Sequence, residues 1–186
     1  MIHDQRLVDH LSALSVERFE GEVFRATGVS ANPLTFSLNG GRWAPPARDG
    51  AEVPILDTSL ERDGALAEVV SYLVLLTPAP TSRPLKVSRL GVSTAKTLRL
   101  ARANLERLNV DLARYGERDY GRTQDIGAAV AFLGLDGLIA LSARWACDNL
   151  MIYQTNHLLN ERLELIEEEN VDWGSWAQAK GLLSDS

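Results

Sequence analysis

The stretch that indicates the fold most clearly is residues 137–154, GLIALSARWACDNLMIYQ. It contains two short and mainly apolar segments, 137–141 and 149–154. Each predicts a buried β-strand, because it is apolar and too short for a typical helix. The first predicted strand ends directly before Ser142, and the second begins at Asn149. Polar side chains therefore mark the ends of two predicted core elements.

The rest of the chain adds strands and helices around these two segments. Further strands are predicted at residues 19–26, 53–56, 85–93, 97–101 and 162–167, and the fourth of these segments could instead open a helix that runs to residue 112. Helices are predicted at residues 6–15, from a cap at 57–59 to about residue 76, at 123–133 and at 171–180. Because these elements follow no strict βαβ order, the sequence predicts an α+β fold, a single domain with a mixed sheet and flanking helices.

The composition is ordinary for a globular protein. The chain has 186 residues, of which 45% are hydrophobic and 24% are charged, and this suits one domain with a real core. The formal net charge of -6 argues against a large nucleic-acid-binding surface, because such a surface needs clustered positive charge. The longest apolar run, 69–76, is interrupted by Ser71 and is far too short to cross a bilayer. We therefore expect neither nucleic acid nor a membrane as a direct partner.

The cysteine and histidine content bears on compartment and metal binding. Cys147 is the only cysteine in the sequence, so no internal disulfide can form, and the N-terminal residues lack the apolar core of a signal peptide. Both observations favour the cytoplasm. His3, His10 and His157 are scattered along the chain and give no metal-ligand spacing, so we expect no metal site.

The segment 40–46, GGRWAPP, carries the strongest functional signal. Two glycines allow a close approach of the backbone, Arg42 follows at once, and the prolines stiffen the exit. This combination suits a planar cation held in a fixed place against an anionic ligand. The surrounding segment 27–54 is predicted to be mostly loop, and a loop of that length is either disordered or functional. Trp43 and Phe36 favour the functional interpretation, because large aromatic side chains tend to be buried.

Three polar side chains elsewhere form a candidate site with Arg42. Arg25 lies near the end of the predicted strand 19–26, and Ser142 follows a buried strand. Glu68 lies within a helix that is apolar around most of its circumference, so its carboxylate is predicted to face a pocket rather than bulk water. Two arginines, a carboxylate and a hydroxyl could together bind a pyrophosphate and break a glycosidic bond. Taken singly, each residue has an ordinary interpretation as an ion-pair, solvated or capping side chain.

Several other polar and aromatic residues have structural interpretations of similar weight. Arg144 and Asn149 could line a pocket, or could form a loop salt bridge and a turn. The acidic run 167–169 is predicted to be a solvated face. Trp173 and Trp176 are interpreted as core residues or as interface anchors that could join two copies in a homodimer.

The segments around these residues resemble the RES-domain family, which is named for its arginine, glutamate and serine. The matching segments are VFRATG at 23–28, GGRWAPP at 40–46, ALAEV at 65–69, TQDIG at 123–127 and DGLIALSAR at 136–144, followed by DNLMIY at 148–153. The resemblance extends from about residue 19 to residue 177. On this basis we divide the chain into an N-terminal helical extension, 1–18, and a RES domain, 19–186.

The resemblance implies a fold similar to that of ADP-ribosyltransferases. It also implies an enzyme that cleaves the nicotinamide glycosidic bond of NAD+, with NAD+ as substrate and no separate cofactor. The acceptor would be water in a glycohydrolase or phosphate in a phosphorylase. Many members of the family are toxins of bacterial toxin–antitoxin pairs, so the resemblance implies an Xre-type helix-turn-helix antitoxin as partner. The alternatives are an ADP-ribosyltransferase that modifies a protein and a non-catalytic NAD-binding regulatory protein.

The family's site residues transfer to matching positions of this chain. The resemblance implies catalytic roles for Arg25, Glu68 and Ser142. It implies NAD+-binding roles for Arg25, Gly41, Arg42, Trp43 and Asn149. A carboxylate at Glu68 would stabilise the positive charge that develops on the ribose as nicotinamide leaves. Ser142 would make a hydrogen bond near that ribose and not act as a nucleophile, because no histidine pairs with it.

The chain departs from the family pattern at three positions. Members often carry a tyrosine directly after the first arginine, a tyrosine in the strand before the helix and an asparagine after GGRW. The corresponding residues here are Ala26, Leu56 and Ala44. The aromatic ring that would stack on the ligand could come instead from Trp43, Tyr72 or Tyr120.

Overall fold

The computed structural model describes residues 4–47 and 52–183. The helices are α1 (Gln5–Ser12), α2 (Arg62–Leu73), α3 (Arg102–Arg107), α4 (Gly121–Phe132) and α5 (Trp173–Ala179). The strands are β1 (Val16–Gly28), β2 (Ile55–Ser59), β3 (Leu85–Leu100), β4 (Gly137–Leu141), β5 (Asp148–Tyr153) and β6 (Leu163–Val171). These strands form one six-stranded mixed sheet, in which β3 and β4 run parallel, and helices flank it. The predicted α+β fold is confirmed.

The sheet closes on itself, because β1 pairs both with β2 and with β3. The hydrogen-bonded order is β1-β2-β5-β4-β3, and β3 also pairs along its length with β1, which completes a circuit. Strand β6 lies beside the first half of β3. Within the described residues, one pair alone, Phe24 with Ser59, joins β1 to β2. The two strands separate beyond this pair, and the separation leaves an opening in the circuit.

Helices cover both sides of this sheet. The largest buried cluster joins α1 and α4 to the strands, with Leu7, Ile126 and Leu138 among its members. A second cluster joins α2 and α5 to β3 through Leu66 and Trp173. Burial of such apolar side chains is the main favourable contribution to folding. Helix α2, which carries Glu68, is therefore held against the sheet by its buried apolar side chains.

The segment 57–59 belongs to a strand and not to a helix cap, so this prediction was wrong. All five residues of β2 pair with β5, and Thr58 Oγ1 donates a hydrogen bond of 2.7 Å to the carbonyl oxygen of Leu150. Helix α2 begins at Arg62 after Glu61, whose side chain makes no capping bond. Pairing with a distant strand outweighs the local capping preference of Asp, Thr and Ser.

A second prediction about strands also needs correction. The segments predicted as separate strands at 85–93 and 97–101 are one continuous strand, β3, because β1 and β6 pair with it and hold it extended. The alternative helix over the second segment is limited to α3. The acidic run 167–169 is solvent-exposed, as predicted, and its three glutamates also form ion pairs. The partners of Glu167, Glu168 and Glu169 are Arg89, Lys86 and Arg62, respectively.

The chain ends are tied into the same body. Helix α1 places Leu7 and Leu11 in the core, and β1 begins at Val16, whereas the division of the chain at residue 18 stays a prediction. Trp173 is fully buried and donates its indole N–H to the carbonyl oxygen of Arg83 at 2.8 Å. Trp173 is therefore a core residue, one of the two predicted interpretations, and Trp176 is partly buried against the same cluster. The homodimer stays a prediction.

The GGRW loop is held firmly by α4. A Cβ atom at Gly127 would lie 1.8 Å from the carbonyl oxygen of Trp43, so the helix can approach the loop only without a side chain there. Gly40 has a φ of +75°, and a Cβ atom there would lie 2.6 Å from the backbone nitrogen of Pro46. Gln124 Nε2 donates to the carbonyl oxygen of Gly41 at 2.9 Å. Two glycines and one amide therefore fix the backbone that carries Arg42.

The close approach at Gly127 predicts a large difference between two Gly→Ala substitutions in one helix. Gly127→Ala should lower the free energy of unfolding by about 2–3 kcal/mol, because the methyl group overlaps the Trp43 carbonyl. Gly121→Ala is the matched control, since its nearest contact is an ordinary 3.9 Å, and it should be neutral or slightly stabilising. Urea denaturation followed by circular dichroism measures both values. Equal effects of the two substitutions would contradict this account of the loop.

Candidate active site

A cavity of about 360 Å³ opens where β1 and β2 separate. Its walls come from β1, the GGRW loop, β2, α2 and the start of β5. The lining residues that carry polar chemistry are Arg25, Ser37, Gly41, Arg42, Asp57, Thr58, Ser59, Glu68, Tyr72 and Asn149. Volumes of about 300–1,000 Å³ are usual for small-molecule sites. Arg25, Arg42, Glu68 and Asn149 were all predicted from the sequence, and the fold brings them to this one cavity, which we call the main cavity.

Glu68 is oriented by two side chains from the ends of neighbouring strands. Its Oε1 accepts hydrogen bonds from Ser142 Oγ at 2.7 Å and from Asn149 Nδ2 at 2.8 Å. Ser142 Oγ accepts the backbone N–H groups of Arg144 and Trp145 at 3.0 and 3.2 Å, so its own hydrogen is directed toward Glu68. In this structure, Ser142 therefore acts on the site through Glu68. No described group hydrogen-bonds to Glu68 Oε2.

Arg25 connects the main cavity to the loop that follows β1. Its Nη1 donates to the carbonyl oxygens of Pro33 and Thr35 at 2.6 and 2.8 Å. Partial burial lowers the pKa of the guanidinium, and the nearby charge of Asp57 opposes that shift. No described group accepts a hydrogen bond from Nε or Nη2. One edge of the planar guanidinium group thus binds the loop through hydrogen bonds, and the other edge is free to donate to a ligand in the cavity.

Arg42 is held by aromatic rings. Its Cζ lies 4.5 Å from the ring centroid of Tyr115 and 4.7 Å from that of Tyr120, distances at which a cation is attracted to a π face. Its Nη2 also donates to the carbonyl oxygen of Glu117 at 3.2 Å. Arg42 further lines a smaller cavity of about 140 Å³, the side cavity, which also contains Arg114. The guanidinium group of Arg42 therefore lies at the boundary between the main cavity and the side cavity.

Gly41 and Trp43 are placed differently from the predicted ligand contacts. The Gly41 N–H donates to the carbonyl oxygen of Ala44 at 2.8 Å, so that this amide is already paired and cannot bind a phosphate as it stands. Gly41 does line the main cavity, where it supplies space rather than a donor. The indole of Trp43 is buried in the core and does not line the cavity. We therefore correct the placement of Trp43: it anchors the loop, because its large apolar ring is more stable in the core.

Phe24 and Tyr72 both line the main cavity, and among the predicted aromatic candidates the one that does so is Tyr72. Its hydroxyl lies 3.0 Å from that of Tyr120, and Arg118 stacks over its ring with Cζ 3.6 Å from the centroid. Burial raises the pKa of Tyr72 to about 12, with a further contribution from the Tyr120 hydrogen bond. Tyr72 thus links α2 to the segment before α4. The sequence left three candidates for an aromatic ring beside the ligand, Trp43, Tyr72 and Tyr120, and Tyr72 is the one that lines the main cavity.

Asp57 is a cavity residue that sequence reasoning missed as a functional group. Leu56 is fully buried in the core, and Asp57, the next residue of β2, faces the main cavity. Asp57 is exposed to the solvent of the open cavity, but the protein packed around that opening limits the hydration of its carboxylate, and this desolvation raises its pKa to about 6. The charge of Glu68 adds to this shift, and the charges of Arg25 and Arg42 oppose it. Successive side chains of a strand point to opposite faces, so a predicted strand that extended past residue 56 would have placed Asp57 on the face opposite to Leu56.

The described residues contain neither a group of side chains suited to a metal ion nor a helix suited to a membrane. In the described parts of the chain, no three or more His, Cys, Asp or Glu side chains are grouped so that they could hold a metal ion. No helix over residues 4–47 and 52–183 is long and apolar enough to span a bilayer.

The sequence matches the RES-domain family over residues 22–174. The chain belongs to the RES-domain family. The predicted resemblance over 19–177 is therefore confirmed, and the family covers the two arginines, Glu68, Ser142 and the cavity around them. Among curated proteins, no sequence match was found.

The fold of this RES-domain protein is similar to that of a solved structure. A chain in the crystal structure of the M. tuberculosis MbcT–MbcA toxin–antitoxin complex superposes with a TM-score of 0.81 at 17% sequence identity. The match covers 96% of this chain and 98% of that chain. At this identity the similarity shows a shared fold over nearly the full length of both chains.

The raised pKa of Asp57 predicts a pH-dependent stability difference. A carboxyl group whose pKa rises on folding, here from 3.8 to about 6, stabilises the fold fully only below its unfolded pKa and loses that contribution as the pH rises through 6. Asp57→Asn removes the charge, so it should raise Tm at pH 8. Because cavity solvent screens the charge, we expect ~1 kcal/mol, equivalent to about 2–4 °C in a domain of this length.

Thermal unfolding at pH 8 and at pH 4.5 measures this difference. The gain in Tm for Asp57→Asn should shrink at the lower pH, where the wild-type carboxyl is protonated in the fold. Asp125→Asn is the matched control, since Asp125 is exposed on α4 and should change Tm little at either pH. A Tm gain for Asp57→Asn that is the same at both pH values would contradict a titrating Asp57.

Proposed function

We propose that this protein is a toxin of the RES-domain family that cleaves the nicotinamide–ribose bond of NAD+ in the cytoplasm. The observation that carries the proposal is the convergence of Arg25, Arg42 and an oriented Glu68 in the main cavity. NAD+ is the substrate, and the reaction needs no other cofactor. Membership of the RES-domain family supports the proposal.

Glu68 has the features that glycosidic cleavage requires. When nicotinamide leaves, positive charge develops at C1′ of the ribose and its ring oxygen, as in glycoside hydrolysis. A carboxylate fixed beside that ribose stabilises the transition state more than the ground state, in which the positive charge lies on the nicotinamide ring, and this difference accelerates the reaction. Ser142 and Asn149 hold Oε1 in place, so that Oε2 can face the ribose without a further loss of side-chain freedom.

The two arginines suit the pyrophosphate. A guanidinium keeps its charge at any working pH and donates two parallel hydrogen bonds to phosphate oxygens. Arg25 has free N–H groups on the edge away from the loop, and Arg42 is pre-oriented by two aromatic rings. Pre-orientation lowers the entropy lost when the ligand binds. Arg42 also borders the side cavity, which gives the far end of a dinucleotide a route past the main cavity.

We also propose that an antitoxin, of the Xre type found in this family, covers the main cavity. The support is the similar fold of a chain from the MbcT–MbcA toxin–antitoxin complex. Exposed apolar side chains near the end of α2, Leu75 at 65% and Leu76 at 53%, provide contact surface close to Tyr72. Co-expression with the product of the adjacent reading frame should restore the growth of cells that produce this protein. Growth arrest that persists with every neighbouring product would contradict this part of the proposal.

The activity predicts that Glu68→Gln abolishes NAD+ cleavage while the fold is retained. The amide keeps the shape of the side chain but loses the negative charge that stabilises the ribose cation, so nicotinamide release should fall at least about 100-fold. Glu106→Gln is the matched control, because Glu106 is an exposed glutamate on α3. Purified proteins are mixed with NAD+ and free nicotinamide is measured by chromatography, with circular dichroism as the check on folding.

The same assay separates the proposal from its alternatives. Full activity of Glu68→Gln would remove Glu68 from the mechanism. Release that occurs only with cell extract, together with labelled ADP-ribose on a protein, would identify an ADP-ribosyltransferase. Absence of nicotinamide release, with or without extract, would favour a non-catalytic NAD-binding regulatory protein.

A further inference from the structure

The proposed cleavage of NAD+ by water requires the removal of one proton. The ring nitrogen of nicotinamide is cationic before cleavage, so nicotinamide takes the bonding electron pair and leaves as a neutral molecule without an acid. The attacking water must lose a proton when its oxygen bonds to C1′. A hydrolytic site therefore needs one base near the face of the ribose that water approaches. A phosphate dianion, by contrast, attacks without losing a proton.

The main cavity contains two carboxylates in different environments. Glu68 Oε1 accepts two hydrogen bonds and is fixed by them. Asp57 also lines the cavity, but no hydrogen bond to its carboxylate comes from residues 4–47 or 52–183. Gly41 leaves space on one side of it, since even a Cβ atom there would be 3.4 Å from Oδ2. When the environments of two carboxyl groups differ in this way, the two groups can take separate roles in one reaction.

We propose that Asp57 is the general base of the site and that water is the acceptor of the ADP-ribose. This inference rests on the proposed NAD+ cleavage. In the step, the C1′–N bond breaks and its electron pair goes to nicotinamide, the water oxygen forms the new bond to C1′, and the released proton passes to the Asp57 carboxylate. Asp57 then returns that proton to solvent through the open cavity. Glu68 remains the group that stabilises the ribose cation.

The charges around Asp57 suit a base that works near neutral pH. Arg25 faces it from β1, Arg42 from the GGRW loop and Glu68 from α2, whereas Tyr153 lies behind it on β5. Burial keeps the pKa of Tyr153 well above its ordinary value, so this hydroxyl stays protonated. Desolvation and Glu68 set the pKa of Asp57 at about 6. Asp57 is therefore ionised at pH 7 and more basic than an aspartate with its ordinary pKa, as base catalysis requires.

The test compares Asp57→Asn with wild type and with the exposed-acid control Asp125→Asn. Nicotinamide release is measured between pH 5 and pH 8, both in phosphate-free buffer and in saturating phosphate, and NAD+ affinity is measured by calorimetry. In phosphate-free buffer the wild-type rate should rise through pH 6, and Asp57→Asn should be about 100- to 10,000-fold slower with no such rise. Its NAD+ affinity should stay within about threefold of wild type, because the substrate contacts of the arginines remain. Asp125→Asn should behave as wild type.

Four results would overturn the inference. A wild-type rate and pH profile in Asp57→Asn would show that Asp57 moves no proton. Release by wild type only in the presence of phosphate would show that water is not the acceptor, while the proposed NAD+ cleavage would stand. If Asp57→Asn lost the same share of nicotinamide release in phosphate-free buffer and in saturating phosphate, the substitution would have damaged the site in general, and Asp57 would not be the base for water. Absence of release by wild type under all conditions would defeat the proposed function itself, and the role of Asp57 with it.

Discussion

The position of the Glu68 carboxylate depends on two hydrogen bonds that link separate parts of the fold. Ser142 lies just beyond β4 and Asn149 near the start of β5, so the antiparallel pairing of these strands puts both donors side by side. Glu68 comes from α2, which follows β2 in the chain and packs against β1. Hydrogen bonds to a charged acceptor are stronger than those between neutral groups. The three residues therefore tie the helix to the sheet and orient the carboxylate at the same time.

The position of Arg42 depends on a different constraint, the close contact between α4 and the GGRW loop. Without a side chain at Gly127, the helix approaches the Trp43 carbonyl directly, and the buried indole prevents the loop from turning. Arg42 can then meet Tyr115 and Tyr120, which come from the segment before α4. Most of the loop's sequence signal is thus explained by packing. The glycines and Trp43 determine where Arg42 lies, whereas Arg42 itself lines the main cavity.

The sequence predicted those features that depend on neighbouring residues and missed those that depend on distant ones. Strand β4 was predicted with its observed bounds because a short apolar segment has few other stable structures. The cap predicted at 57–59 was wrong because pairing with β5 decides that segment, and this error concealed Asp57. Tyr115 has no local signal at all, since its role arises only when its ring meets Arg42. The four predicted polar residues were found because each lies in a segment with a strong pattern of its own.

The charges of the main cavity indicate what kind of ligand it can accept. With Asp57 ionised, two guanidinium groups face two carboxylates, so the site carries little net charge. A site for a simple phosphate would gain nothing from the carboxylates, and their repulsion would weaken binding. NAD+ carries both signs, an anionic pyrophosphate and a cationic nicotinamide ring, and each sign has a counterpart among these four side chains. In the proposed reaction, cleavage would leave the ring neutral, so its attraction to the carboxylates would end when the bond breaks and release of the product would be favoured.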